Sequence, residues 1–215
     1  MTFIFTSDLD WNPEWAIREL IRVFKEYKVP LTLFLTHDSQ VAKTEYDNSQ
    51  MRRHAGVHPN FCDGSTQGNT PSQILEYCKA LWPTAIGYRC HRFYVNPQIQ
   101  RLLATTYKYD SNLLLFLQEN IRPFHDANGL MRFPVFWEDD IHFSTGLPFS
   151  VEALKPKLLT EGLKIFNFHP VWFSFIPPKH VKEFTFLEAL LTFTEESGEE
   201  RCYLDDYYAR YVANG

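Results

Sequence analysis

Side chains able to do chemistry recur just after short apolar runs. The stretch that begins at Thr2 leads into Ser7-Asp8-Leu9-Asp10-Trp11. In extended chain, residues two apart project to the same side, so Asp8 and Asp10 present two carboxylates together. Two carboxylates in close approach repel each other, and one pKa rises unless a cation relieves them. A divalent ion on one, with the other as general base toward a water, is a hydrolytic arrangement. The competing reading is that both acids cap the next helix or face solvent.

Histidines stand at comparable places. His54 and His58 are four residues apart. On a helix they would be neighbours; on a strand they lie about 13 Å apart, at about 3.3 Å per residue. Pro59 favours extended backbone at His58, which puts His58 at the strand end and makes it the preferred ligand over His54. In Gly87-Tyr88-Arg89-Cys90-His91, Arg89 and His91 alternate to one side. Arg89 is suited to hold Asp8 ionised, and His91 completes an Asp10, His58, His91 set suited to zinc. His169 follows the apolar Ile165-Phe166-Asn167-Phe168, where a histidine suits a general acid. Glu138, Asp139 and Asp140 are candidates to orient it. Each residue also has a bland reading as a packed or solvated group, and the weight comes from agreement among the strand ends.

The elements expected to position these groups alternate. Residues 2–7 read as a buried strand. Asn12 as N-cap and Pro13 at the first helical position open a helix to about Lys28, and Pro30 breaks it. Strands are expected at 31–36, 53–58, 85–89, 109–115, 131–136 and 164–168, and helices at 71–81, 97–105, 181–196 and 204–212. Strands alternating with helices imply parallel βαβ units. The pattern fits a small or distorted β/α barrel, with an open doubly wound sheet as alternative. In both, function belongs at the C-terminal ends of the strands.

Composition narrows the class. The 215 residues suit one domain, 1–215, with its own core. A formal net charge of -5 with no basic stripe argues against a nucleic-acid partner. The four cysteines form no CxxC and read as free thiols. No apolar run reaches the length of a membrane span, and the N-terminus lacks a signal-peptide pattern, so a cytoplasmic protein is expected. Aromatic residues reach 16%; most are expected in the core, while some could wall a sugar site.

Together these strand ends resemble the polysaccharide deacetylases, carbohydrate esterase family 4. Thr6-Ser7-Asp8-Leu9-Asp10 is similar to their first motif, a Thr followed by a base Asp and a metal Asp. Gly56-Val57-His58 resembles the start of the second, Arg89 stands where the third places an Arg, and Asn167-Phe168-His169 resembles the last. His58-Pro59-Asn60-Phe61, Ser65-Thr66-Gln67-Gly68, Arg89-Cys90-His91-Arg92 and Phe136-Trp137-Glu138-Asp139-Asp140 resemble a subgroup of surface-polysaccharide (lipopolysaccharide) biosynthesis. The resemblance implies a distorted (β/α)7 barrel and a metal-dependent hydrolase that removes an N-acyl group, chiefly N-acetyl, from a sugar. Under it, Asp8 is the base, Arg89 its partner and His169 the acid, and Asp10 and His58 are ligands to Zn2+, with Ni2+ or Co2+ as alternatives; His91 is taken as the third ligand from the strand-end reading. Tyr94, Trp137 and Asp139 are the candidate contacts to a small-molecule or oligosaccharide substrate, and amides near Phe93-Tyr94 the candidate oxyanion donors. The second motif departs from the usual pattern, since Cys62 stands four residues after His58. His54 and Cys62 therefore remain alternatives to His91. Two other functions stay open: a metal-free sugar-binding protein on the same barrel, and an Asp-x-Asp phosphatase of the haloacid-dehalogenase type.

Overall fold

The computed structural model describes residues 1–47, 50–173 and 181–213. The first strand, β1 (Thr2–Asp8), is buried along nearly its whole length. It is followed by α1 (Glu14–Glu26), β2 (Leu31–Leu35), α2 (Gln40–Tyr46) and β3 (Ala55–Val57). Then come α3 (Pro71–Leu81), β4 (Gly87–Tyr88), α4 (Pro97–Ala104), β5 (Tyr109–Asp110), β6 (Phe124–His125), β7 (Met131–Arg132) and β8 (Trp137–Glu138). The remainder is α5 (Asp139–Thr145), α6 (Val151–Leu158), β9 (Leu163–Phe168), α7 (Val181–Glu196), β10 (Glu200–Arg201) and α8 (Leu204–Ala213).

The strands pair in the order β6-β7-β5-β4-β3-β2-β1-β9-β8, with β10 beside β1. Among the described residues only the β6–β7 ladder is antiparallel. Strands β7 and β8 are the two ends of one segment, 131–138. Its first half pairs with β5 and its second half with β9. Backbone bonds from Phe133 N to Asp110 O (2.8 Å), Val135 N to Leu113 O (2.7 Å) and Phe136 N to Ile165 O (2.8 Å) carry the pairing across. The sheet therefore curls into a ring of seven parallel staves: β1, β2, β3, β4, β5, the 131–138 segment and β9. This is the distorted (β/α)7 barrel that the sequence predicts. Pro134 splits the stave, because proline offers no N–H to a ladder.

Register sorts the side chains. Thr6 pairs with Asn167, and Asn167 with Glu138, so these three share the inner face. Phe5, Phe166 and Trp137 occupy the alternate row. That row packs outward: Phe5 lies 5.6 Å from Phe24 of α1, and Trp137 5.4 Å from Phe186 of α7. Fully burying each such side chain stabilises the fold by about 1.5–3 kcal/mol. The amphipathic α1 contributes Ile17, Leu20, Ile21 and Phe24 to this layer.

Several expected boundaries shift. Pro13, not Asn12, holds the N-cap position of α1, and Asn12 Nδ2 instead donates to Leu9 O at 2.8 Å. The helix ends at Glu26 rather than Lys28. Arg52–His54 form a 3-10 turn ahead of a three-residue β3. Helix α3 occupies the expected 71–81, capped by the Thr70 hydroxyl on Gln73 N. Among the described residues no helix is long and apolar enough to cross a membrane, and all four cysteines are free.

Candidate active site

The C-terminal ends of β1, β3, β4, β8 and β9 bring the predicted polar residues together. Asp8, the last residue of β1, is 2% exposed. Its Oδ1 accepts from Arg89 NH1 at 3.1 Å and its Oδ2 from Asn167 Nδ2 at 2.8 Å. Arg89 is itself wholly buried, lies 4.6 Å over the Phe34 ring, and donates further to Thr6 Oγ1, Asn167 Oδ1, Ser111 O and Ser111 Oγ. Each hydrogen bond made by the charged group is stronger than a neutral one. Arg89 thus holds Asp8 in place as a buried ion pair.

Asp10 lies just past the strand. Its backbone turns into the left-handed region (φ 41°), and its N–H donates to Thr36 Oγ1 at 2.9 Å. Three imidazoles surround its carboxylate: His58 Nε2 at 3.0 Å and His91 Nδ1 at 2.9 Å on Oδ1, and His169 Nε2 at 3.2 Å on Oδ2. Burial alone would raise the Asp10 pKa, but these imidazoles outweigh it and hold the carboxyl far below the usual carboxylate range. Ligating atoms of Asp10, His58 and His91 all lie within 4.8 Å of one another. A tetrahedral ion with bonds of about 2.1 Å spaces its ligand atoms about 3.4 Å apart. Both ring nitrogens of the buried His58 lack a hydrogen-bond partner among the described residues, although Nε2 is so close to Asp10. A buried imidazole without partners is costly, and a cation would satisfy it. One carboxylate and two imidazoles fit a divalent ion of zinc type.

His169 is 6% exposed and gripped by Asp139. Asp139 Oδ1 lies 2.6 Å from His169 Nδ1, and Oδ2 accepts the His169 backbone N–H at 2.6 Å. Burial works to lower the His169 pKa; the Asp139 and Asp10 carboxylates overcome it and hold the ring well above its ordinary value. The ring is thereby kept in its protonated form, which a general acid requires.

The structure also reassigns residues. His54 is remote from this cluster: its Nδ1 lies 2.9 Å from Asp205 Oδ1 and its ring stacks on Tyr203 at 3.6 Å. Cys62 belongs to none of the groups of convergent ligating atoms among the described residues. Trp137 is fully buried, with Nε1 donating to His142 Nδ1, so it has no face to offer a substrate. Asp139 is equally buried and is engaged with His169, so its expected substrate contact is corrected to orienting the histidine. Asp140 is a more distant neighbour of the same ring, with Oδ1 3.9 Å from His169 Nδ1 and accepting from Trp172 Nε1 at 3.0 Å. Tyr94 is 47% exposed and borders a groove with Cys62, Asp63, Ser65, Asn69 and Asn96. The Phe93 and Tyr94 amides bond Cys90 O and His91 O, which removes them as oxyanion donors. Two residues were missed: Asn167, whose amide bridges Arg89 and Asp8, and Trp11, 39% exposed and set edge-on to His91 at 5.3 Å. Asn167 was legible as the second residue before His169, on the same strand face.

Residues 5–180 match the family model of the WbmS-like polysaccharide deacetylases. No curated protein sequence matches the chain. Among solved structures, it is similar to a protein of Bordetella bronchiseptica described as a polysaccharide deacetylase involved in O-antigen biosynthesis, with TM-score 0.74 and 21% identity over 88% of this chain and 89% of that one. A Mycobacterium smegmatis protein described as a polysaccharide deacetylase has TM-score 0.65 and 18% identity, covering 99% and 90%. A family 4 acetyl xylan esterase of Clostridium thermocellum, in complex with a cobalt ion, has TM-score 0.56 and 10% identity, covering 97% and 91%. At these identities the structures establish the fold, and the phosphatase reading, which needs a different one, falls away.

Proposed function

Because the chain belongs to the WbmS-like polysaccharide deacetylases, we propose that it is a metal-dependent hydrolase removing an N-acyl group, N-acetyl foremost, from a sugar or sugar-containing precursor. The observation that carries this is the meeting of Asp10, His58 and His91 beside an Arg89-held Asp8 and an Asp139-held His169. Surface-polysaccharide biosynthesis is the proposed setting, in keeping with the O-antigen role stated for the Bordetella protein. The whole chain acts as one catalytic domain, in the cytoplasm.

Asp10, His58 and His91 would hold the ion, Zn2+ first and Ni2+ or Co2+ as substitutes. When bound, such an ion supplies a Lewis acid and lowers the pKa of water. Asp8 takes the proton of the attacking water, held and aligned by Arg89 and Asn167. His169 delivers its proton to the leaving nitrogen, and Asp139 stabilises the charged ring before transfer. Proton acceptance and proton delivery thus fall to separate residues with opposite charges.

The test is to incubate the ion-loaded protein with N-acetylated amino sugars in free, nucleotide-linked and lipid-linked forms, measuring acetate and primary amine together. Equal release of both is expected. No release from these sugars but acetate from O-acetylated sugars would make the protein an O-esterase, and sugar binding without either product would make it a binding protein.

Tyr94 is proposed to support the sugar at the mouth of the cleft. Losing an aromatic contact worth about 1 kcal/mol, Tyr94→Ala should raise KM about fivefold with little change in kcat. An unchanged KM would remove Tyr94 from the binding surface.

A further inference from the structure

Glu138 is a buried acid at the strand ends with no cation within ion-pair distance among the described residues, although it is only 7% exposed. Asp8 has Arg89, Asp139 has His169, and Asp110 has Arg132. Glu138 owes its place to register: it pairs with Asn167, which pairs with Thr6, and all three face the barrel interior. Trp137, one residue earlier, faces the helices.

Asn167 links the two acids. Its Oδ1 accepts from Arg89 NH1 at 2.6 Å, which fixes the amide orientation. Its Nδ2 therefore faces carboxyl oxygens, Asp8 Oδ2 at 2.8 Å and Glu138 Oε1 at 3.4 Å. Arg89 directs its donors to Thr6, Asp8, Asn167 and Ser111 and none to Glu138. Two acids share one amide, and the guanidinium touches only one of them. Paired carboxyls in a buried site cannot both ionise freely, and of the two only Asp8 has the guanidinium beside it.

We propose that Glu138 is a positioning residue that works as an uncharged acid: it holds Asn167, and through it Asp8, without adding a second negative charge where an oxyanion would form. The proposal rests on the hydrolase reading above. Burial pushes the Glu138 carboxyl up to about 8; His169 and Arg89 pull downward, while Asp139 and Asp8 push further up. These four are the charged groups facing it, from the ends of β9 and β4, from α5 and from β1. As pH rises through about 8, Glu138 ionises and turnover should fall.

The experiment has two arms. In the ion-free protein, infrared difference spectra between wild type and Glu138→Gln at about pH 6.5 should show a protonated-carboxyl C=O stretch that fades as pH rises through about 8. In the ion-loaded enzyme at about pH 7, Glu138→Gln should keep kcat within about threefold and shift the alkaline limb upward, while Glu138→Ala loses about tenfold or more. A difference spectrum without that band overturns the proposal. So does a Glu138→Gln enzyme as impaired as Glu138→Ala with an intact melting transition, since an ionised carboxylate would then be required. Failure of the hydrolase reading itself would show as no turnover on any N-acyl sugar by the wild type, and the infrared arm would still decide the protonation of Glu138.

Discussion

Alanine at His58 or at His91 is expected to abolish stoichiometric binding of a divalent ion, and with it all measurable turnover. Their nitrogens converge with Asp10 Oδ1, and the set holds only one carboxylate. Two remaining ligands cannot sustain the affinity of three. Elemental analysis of purified protein should find near-stoichiometric zinc or a similar ion in wild type and almost none in either variant. A second readout needs no substrate: an ion present at about 1,000 times its Kd stabilises the native state by about 4 kcal/mol. For a chain of this size that raises Tm by about 10 °C. The shift should vanish in both variants and shrink on acidification, because imidazole must be unprotonated to ligate. Loss of the ion with His58→Ala alone would transfer the third ligand to Cys62. His54→Ala should keep the ion, since His54 is occupied with Asp205 and Tyr203. Absence of any bound ion after zinc, cobalt or nickel is offered would leave the sugar-binding alternative ahead.

The legible part of this site follows from one regularity. Where a continuous apolar run ends, the next inward-facing residue meets the cleft, and parity names it. Asp8 with Asp10 and Arg89 with His91 were found by parity, His58 and His169 by standing where an apolar run ends, and the structure gathers them. The same parity was available for Trp137 and points the other way. Because Glu138 pairs with the inward Asn167, Trp137 must face outward. Aromatic chemistry suggested a sugar wall, but the pleat sent the ring to the core. Strands β4 and β5 have two residues each, too few to display any period. Helices α2, α5 and α6 were missed because at seven or eight residues they span about two turns and, unlike the equally short α4, none opens on an Asn-Pro pair. The choice of Asp139 among three adjacent acids was also beyond the sequence. It depends on β8 ending at Glu138, so that Asp139 starts α5 beside His169 while Glu138 stays in the lumen.

Asp8 and Arg89 should separate catalysis from stability. Asp8→Asn keeps the shape of the side chain and removes its basicity, so kcat should fall about a hundred- to ten-thousand-fold. The fold should survive, because the buried cation keeps amide and hydroxyl partners at Asn167, Thr6 and Ser111. Arg89→Met removes both. It strands the Asp8 carboxylate in a site 2% exposed to water, and breaking a buried pair from one side costs about 3–5 kcal/mol. That is a large share of the total stability of a domain, about 5–15 kcal/mol. Chemical denaturation should therefore show Arg89→Met much weaker than Asp8→Asn, although both are inactive. The double variant decides the cause. With Asp8 already neutral, replacing Arg89 leaves no buried anion uncompensated, and the double variant should recover stability relative to Arg89→Met alone. If the two losses simply add, Arg89 stabilises through its contacts with Ser111 and Phe34, and its role toward Asp8 is catalytic alignment alone. If Arg89→Met keeps normal turnover, Asp8 needs no cation to act, and its assignment as the base held by Arg89 is wrong.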